Sequence, residues 1–265
     1  MRVPAEAAEP VVAALLDLAP SGIEQVDGDG VVELAVYGAP GELPELAEGE
    51  AEVAGVRVRV SATQVPDDWA DRWKRFHLPV LVAERLHLRP PWEPRTARPG
   101  AIDLVIDPGR AFGTGGHPTT RLALELLLEL SDATGGGSLS DLGCGSGVLA
   151  IAASRLGFGP IKALDFDRLA LEATAANAAG NGVSLAAIER FDLRTRPAPA
   201  ADVIVANLTR PLLLRVAELM DERPRALIAS GLLRDEVDEV AAALAPMRER
   251  RRLGDRGWCA LLLER

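Results

Sequence analysis

The chain has 265 residues, with 29 lysines and arginines against 39 acids, a formal net charge of −10, and two cysteines. An acidic balance argues against a nucleic-acid surface, which requires a basic face, and Cys144 and Cys259 supply neither a disulfide framework nor a metal set. No apolar run approaches the ~18 residues of a membrane span, and the opening MRVPAEAAEP lacks the basic-then-apolar order of a signal peptide; a reduced, cytoplasmic protein is expected.

The charge is unevenly placed. Residues 1–60 hold twelve acids and three arginines, so −9 of the −10 lies there. A basic protein partner docking on this part is one reading, and a solvated acidic surface is the other. Glu6 to Leu18 has helical periodicity and is stopped by Pro20 and Gly22. Ile23–Val26 and Val31–Val36 read as strands joined by DGDG, a hairpin signal. The stretch GAPGELPELAEGEAEVAG is rich in turn residues, and Val56–Ala62 alternates as a further strand. A small α+β domain over 1–62 is expected, with a linker over 63–99. In that linker, PDDWADRWKRF places acids at the start and bases at the end of a short helix, with Trp69 and Trp73 on one face. Prolines 90, 91, 94 and 99 then mark a loop.

From residue 100 onward strands and helices alternate. Candidate strands are Ile102–Ile106, Leu139–Leu142, Ile161–Leu164, Leu185–Ile188, Val203–Ala206, Ala226–Ala229 and Ala260–Leu263; candidate helices are Thr119–Leu130, Val148–Leu156, Arg168–Asn181, Leu212–Met220 and Glu236–Leu244. Alternation of this kind builds a mostly parallel sheet with helices on both faces, and ligands bind such sheets beyond the carboxyl ends of the strands.

DLGCGSG, from Asp141 to Gly147, lies between a short apolar run and a longer one. It reads as a strand, a glycine turn and a helix start, where backbone approaches a ligand and free N–H groups converge. Gly143, Gly145 and Gly147 are the candidate cofactor-binding positions. IKALDFD follows and ends a second strand in Asp165, placed to accept ribose hydroxyls. The glycine spacing is G-x-G-x-G rather than the G-x-G-x-x-G of nicotinamide sites, and the pattern resembles the Rossmann-like S-adenosylmethionine-dependent methyltransferases.

Further motifs narrow the resemblance. DPGRAFGTGGHPTT spans Asp107–Thr120, VIVANLT ends a strand in Asn207, SGLL covers Ser230–Leu233, and GWCALLLER closes the chain. In order and spacing, together with DLGCGSG and the tryptophan helix, they are similar to the ribosomal protein L-eleven methyltransferase family over residues 65–265. That resemblance implies a methyltransferase domain over 100–265 that binds S-adenosylmethionine through Thr120, Gly143, Asp165 and Asn207. It also implies methyl transfer to lysine side chains or an N-terminal amine of a ribosomal protein. The first domain departs from the family's two-helix α+β module, the second helix being largely replaced by GAPGELPELAEGE.

The candidate catalytic residues are Asn207 and His117. The Asn207 side-chain carbonyl suits holding an amine's hydrogens and aiming its lone pair; the competing reading is a cap on the following helix. His117 either accepts a proton or closes the glycine loop by hydrogen bonding. Asp167 either shares the ribose or caps the helix at Arg168, and Cys144 reads as a small residue under the cofactor.

Overall fold

The computed structural model describes residues 1–4, 7, 11, 23–27, 30–36, 49–53, 55–61, 77–95, 99–108 and 115–265. The candidate helices over 6–18 and 66–76, and residues 109–114 of the glycine-rich loop, lie outside the described residues or are described only at single positions. The chain divides into two compact units, Met1–Trp69 and Ala70–Arg265.

The first unit is built on a five-stranded antiparallel sheet. Its strands are β1 (Arg2–Pro4), β2 (Ile23–Asp27), β3 (Val31–Val36), β4 (Gly49–Val53) and β5 (Val56–Val60), in the order β2-β3-β1-β5-β4. Alternation puts Val3, Val32, Leu34 and Val58 into one core with Val11. β1 and β4 were not expected. β4 falls inside the stretch read as turns, where its two half-buried apolar residues, Ala51 and Val53, are diluted by acids. The register sets Glu50 opposite Arg59 and Glu52 opposite Arg57, so part of the acidic excess faces basic partners across the sheet.

The second unit holds two sheets. β6 (Val80–Val82), β7 (Leu86–Arg89) and β8 (Ile102–Val105) make a three-stranded sheet. Two corrections follow. The segment 63–99 contributes two strands to the second unit, β6 and β7. The strand at Ile102 was expected in the large sheet; it instead runs parallel to β7. Periodicity reports a strand and a buried face, not which neighbour it pairs with.

The large sheet has seven strands: β9 (Leu139–Leu142), β10 (Ile161–Asp165), β11 (Ala187–Arg190), β12 (Val203–Asn207), β13 (Ala226–Leu233), β14 (Arg248–Asp255) and β15 (Trp258–Glu264). Their order is β11-β10-β9-β12-β13-β15-β14. The pairs from β11 through β13 are parallel, and β15 runs antiparallel between β13 and β14. Strand order reverses between β9 and β12, which opens a crevice at the carboxyl ends of those two strands. β14, RERRRLGD, has no apolar alternation to announce it; it is a largely exposed edge strand with a bulge between Glu249 and Arg251.

Helices cover both faces, as the alternating strands require. Val203, Val205, Ala226, Ile228, Ala260 and Leu262 point to one face, covered by α1 (Pro118–Thr134), α2 (Val148–Arg155) and α3 (Arg168–Gly180). Ile204, Ala206, Leu227, Ala229, Leu261 and Leu263 point to the other, covered by α4 (Arg210–Leu219) and α5 (Val237–Ala243). Burial on both sides of the central strands is what their uninterrupted apolar runs encode. Among the described residues, no helix is long and apolar enough to cross a membrane.

Candidate active site

The crevice is organised by the turn between β9 and α2. Gly143 and Cys144 donate their N–H groups to Leu164 O of β10, at 2.8 and 3.0 Å, which bends the chain off the sheet at the strand end. Gly143 has φ +72, and a Cβ there would lie 2.4 Å from Leu208 Cδ2. The residue after Asn207 thus lies against the turn. Gly147 has φ +80, and a Cβ would come within 2.9–3.1 Å of Thr174, including its Cα; here glycine lets α3 approach the turn.

That close approach gives a stability prediction. Gly147→Ala is expected to lose about 1–3 kcal/mol from its left-handed backbone alone, with a further loss from the Thr174 contact. Gly182→Ala shares the positive φ, at +63, with nothing within 4 Å of the new Cβ, so it should show the backbone loss only. Urea unfolding of the two variants measures the difference.

The residues expected at the site come together in two pairs. Gly145 N–H donates to Asp165 Oδ2 at 3.0 Å, and Asp167 N–H donates to Asp165 Oδ1 at 3.0 Å. The Asp165 carboxylate is therefore fixed at the end of β10 beside the turn. Asn207 Nδ2 donates to Thr120 Oγ1 at 3.4 Å, joining the end of β12 to the first turn of α1. The N-cap of α4 is Thr209, so Asn207 is not the cap of that helix. Asp167 accepts from Leu169 N–H and caps α3.

His117 is the N-cap of α1. Its Nδ1 accepts from Thr119 N–H at 3.4 Å and lies 2.8 Å from Thr119 Oγ1. Its ring also meets Trp258 edge-on, 5.0 Å between centroids. These contacts fix the ring at the start of α1. Ser230 Oγ, fully buried, donates to Thr119 O at 2.8 Å and ties β13 to the same helix start.

The electrostatics centre on Asp141. It is fully buried, its Oδ2 accepts from Ala150 N–H at 3.0 Å, and its Oδ1 has no partner. Burial pushes its pKa up to about 7, against the lowering effect of the Ala150 bond and with a smaller push from Asp165. Burial also raises the Cys144 thiol well above its ordinary range, so Cys144 stays an uncharged packing residue that accepts from Thr174 Oγ1 at 3.3 Å. Among the described residues, no cluster of His, Cys, Asp and Glu has the makings of a metal site.

Two features were not read from the sequence. Half-exposed Phe166, next to Asp165, has the guanidinium carbons of Arg190 and Arg194 each 4.6 Å from its ring centroid. The exposed aromatic between two acids in DFD was the available signal. The other is a stripe of Thr174, Asn177 and Asn181 on α3, spaced i, i+3 and i+7.

A doubly wound sheet of this order, with a glycine turn at its crevice and a carboxylate closing the next strand, defines a Rossmann-like methyltransferase. The family model described as ribosomal protein L11 methyltransferase (PrmA) matches residues 39–265. The chain belongs to that family. It is 38% identical over 267 residues to the ribosomal protein L11 methyltransferase of Dechloromonas aromatica, covering 90% of this chain and 88% of that one. It is 38% identical over 237 residues to that of Pelobacter propionicus, covering 84% and 74%. The crystal structure of the ribosomal protein L11 methylase from Lactobacillus delbrueckii superposes with a TM-score of 0.63 at 28% identity, covering 71% of this chain and 99% of that one.

Proposed function

We propose that this methyltransferase takes its methyl group from S-adenosylmethionine and places it on amine nitrogens of ribosomal protein L11, lysine side chains or the N-terminal amine. The observation that carries the cofactor reading is that N–H groups of the turn and of the start of α2 are already taken. In dinucleotide folds a helix N-terminus at this place takes a phosphate. Here the third N–H of α2 is already held by the buried Asp141 carboxylate, and Asp165 lies on the other side of the turn. With those N–H groups taken and Asp165 beside the turn, the site is poorly suited to a phosphate and suits a nucleoside that carries positive charge.

When bound, S-adenosylmethionine supplies an activated methyl on a sulfonium. The remaining work falls to the chain. Asp165, fixed by two backbone N–H groups, has lone pairs left for ribose hydroxyls. Gly143 leaves the turn without a side chain, and Thr120 and Asn207 close the crevice from α1 and β12. With Nδ2 given to Thr120, the Asn207 oxygen is the atom left to accept from a substrate amine. A lysine starts from a pKa of about 10.4 and an α-amine from nearer 8; a desolvated crevice favours the neutral form of either. The acidic excess of residues 1–60 supports the first unit as the surface that meets a basic ribosomal protein, and a cytoplasmic location accords with such a partner.

The test is methyl transfer from labelled S-adenosylmethionine to purified ribosomal protein L11, with the labelled positions located by mass spectrometry. Label on amine nitrogens is expected, at a rate that falls as salt rises. No label in the protein, or label only in RNA from an extract, overturns the reading.

A further inference from the structure

The polar stripe on α3 reaches both the glycine turn and the strand that leads into the glycine-rich loop. Thr174 Oγ1 donates to Gly145 O at 3.0 Å. Asn181 Oδ1 accepts from Val105 N–H at 2.8 Å, and its Nδ2 donates to Val105 O at 2.6 Å. Asn177 Oδ1 accepts from Asp107 N–H at 2.9 Å, and its Nδ2 donates to Asp107 O at 3.3 Å and to Ser146 O at 2.9 Å. The two asparagines thus bond alternate residues, Val105 and Asp107, as a neighbouring strand would. Helix side chains do what the missing sheet partner would have done on this edge of β8.

Asn177 differs from Asn181 in one respect. Asn181 serves Val105 and the carbonyl of Asn177 within its own helix. Asn177 serves Asp107 and the turn together, through one buried carboxamide that is 4% exposed. Ser146 belongs to the turn that meets the cofactor, and the chain beyond Asp107 continues to His117 and Thr120. A planar amide with both ends engaged transmits a displacement of one partner to the other, because neither can shift without breaking a buried hydrogen bond.

We propose that Asn177 is a positioning residue: it couples the glycine turn to Asp107, so that cofactor bound at the turn holds Asp107 and the strand that leads into it in place. This rests on the cofactor reading above. Asn177 touches no reacting atom and acts through Ser146 and Asp107.

The test uses the full chain, S-adenosylhomocysteine as probe, calorimetry for binding and hydrogen exchange over residues 102–108. In the unsubstituted protein the probe should slow exchange over 102–108. In Asn177→Ala the probe should still bind while that slowing disappears. Asn181→Ala should exchange faster over 102–108 throughout yet keep the slowing. Asn177→Asp retains the volume and the acceptor for Asp107 N–H but loses the donor to Ser146 O; it should behave as Asn177→Ala does and is read in its place if the alanine variant fails to fold. Probe binding with the slowing intact in both Asn177 variants overturns the coupling alone. No probe binding to the unsubstituted protein overturns the cofactor reading, and the coupling with it.

Discussion

Asn207→Ala is expected to slow methyl transfer by about 10²-fold, the effect of releasing a nucleophile from its aligned position. The dissociation constant for S-adenosylmethionine should change much less. The reason lies in how the amide is held. Nδ2 is committed to Thr120 Oγ1, so the side chain is oriented from α1, and in the proposed function its oxygen is the atom that accepts from the substrate amine. Removing it abolishes the orientation while leaving Asp165 and its two backbone partners untouched. Single-turnover rates and calorimetry on the same variant separate the two quantities. Equal losses in both would place Asn207 with the cofactor alone. Thr120→Val should show a smaller loss in rate, since the amide survives and loses only its tether. In the unsubstituted enzyme, kcat/KM should climb through the alkaline range as the substrate amine deprotonates; a flat profile from pH 6 to 9 (roughly the span between an imidazole and an ammonium) would count against an unassisted lysine.

Asp141 gives the second large effect, and this one is on stability. Its carboxyl titrates near 3.8 when unfolded and at about 7 in the folded chain, chiefly through burial. Between those values the folded state holds a proton that the unfolded state has lost. Stability therefore falls as pH rises from 4 toward 7, and the loss persists above 7. Three pKa units correspond to about 4 kcal/mol. Asp141→Asn keeps an oxygen for Ala150 N–H and buries no charge, so its unfolding free energy should lack this component. The difference between variant and parent, measured in urea at pH 5 and pH 8, should move in the variant's favour at the higher pH. A difference independent of pH would show that the carboxyl stays in one protonation state throughout.

What the sequence disclosed follows from how local each signal is. β9, the glycine turn and β10 were legible because an apolar run, a glycine cluster and a terminal acid are read within about a dozen residues. Asp165 and Asn207 could be placed at strand ends for the same reason: each ends a run of mostly buried residues. β14 was hidden because an edge strand need not alternate, and RERRRLGD carries its charges outward. β8 was recognised as a strand but put in the wrong sheet, since its partner β7 lies in a proline-flanked segment with no turn signature. The stripe of Thr174, Asn177 and Asn181 has helical spacing in plain view, yet its partners, such as Asp107, lie 70 residues away. Side chains that bond distant backbone leave no trace in periodicity. The same holds for His117, whose capping bond to Thr119 sits beside a ring contact 141 positions further along, to Trp258.

The edge formed by β14 bears on how the protein survives its own synthesis. An open strand invites a neighbouring chain to zip onto it, and crowded, newly made polypeptides supply many such neighbours. Here the exposed rim is four arginines, Arg248, Arg250, Arg251 and Arg252, interrupted by a bulge that breaks the spacing of its free amides. Two of them are anchored sideways to helices, Arg251 to Glu129 and Arg252 to Asp238. A second copy offering its own rim meets Arg248 and Arg250 and a hydrogen-bond ladder broken by the bulge. Strand addition at this edge of the sheet, opposite β11, is thereby disfavoured.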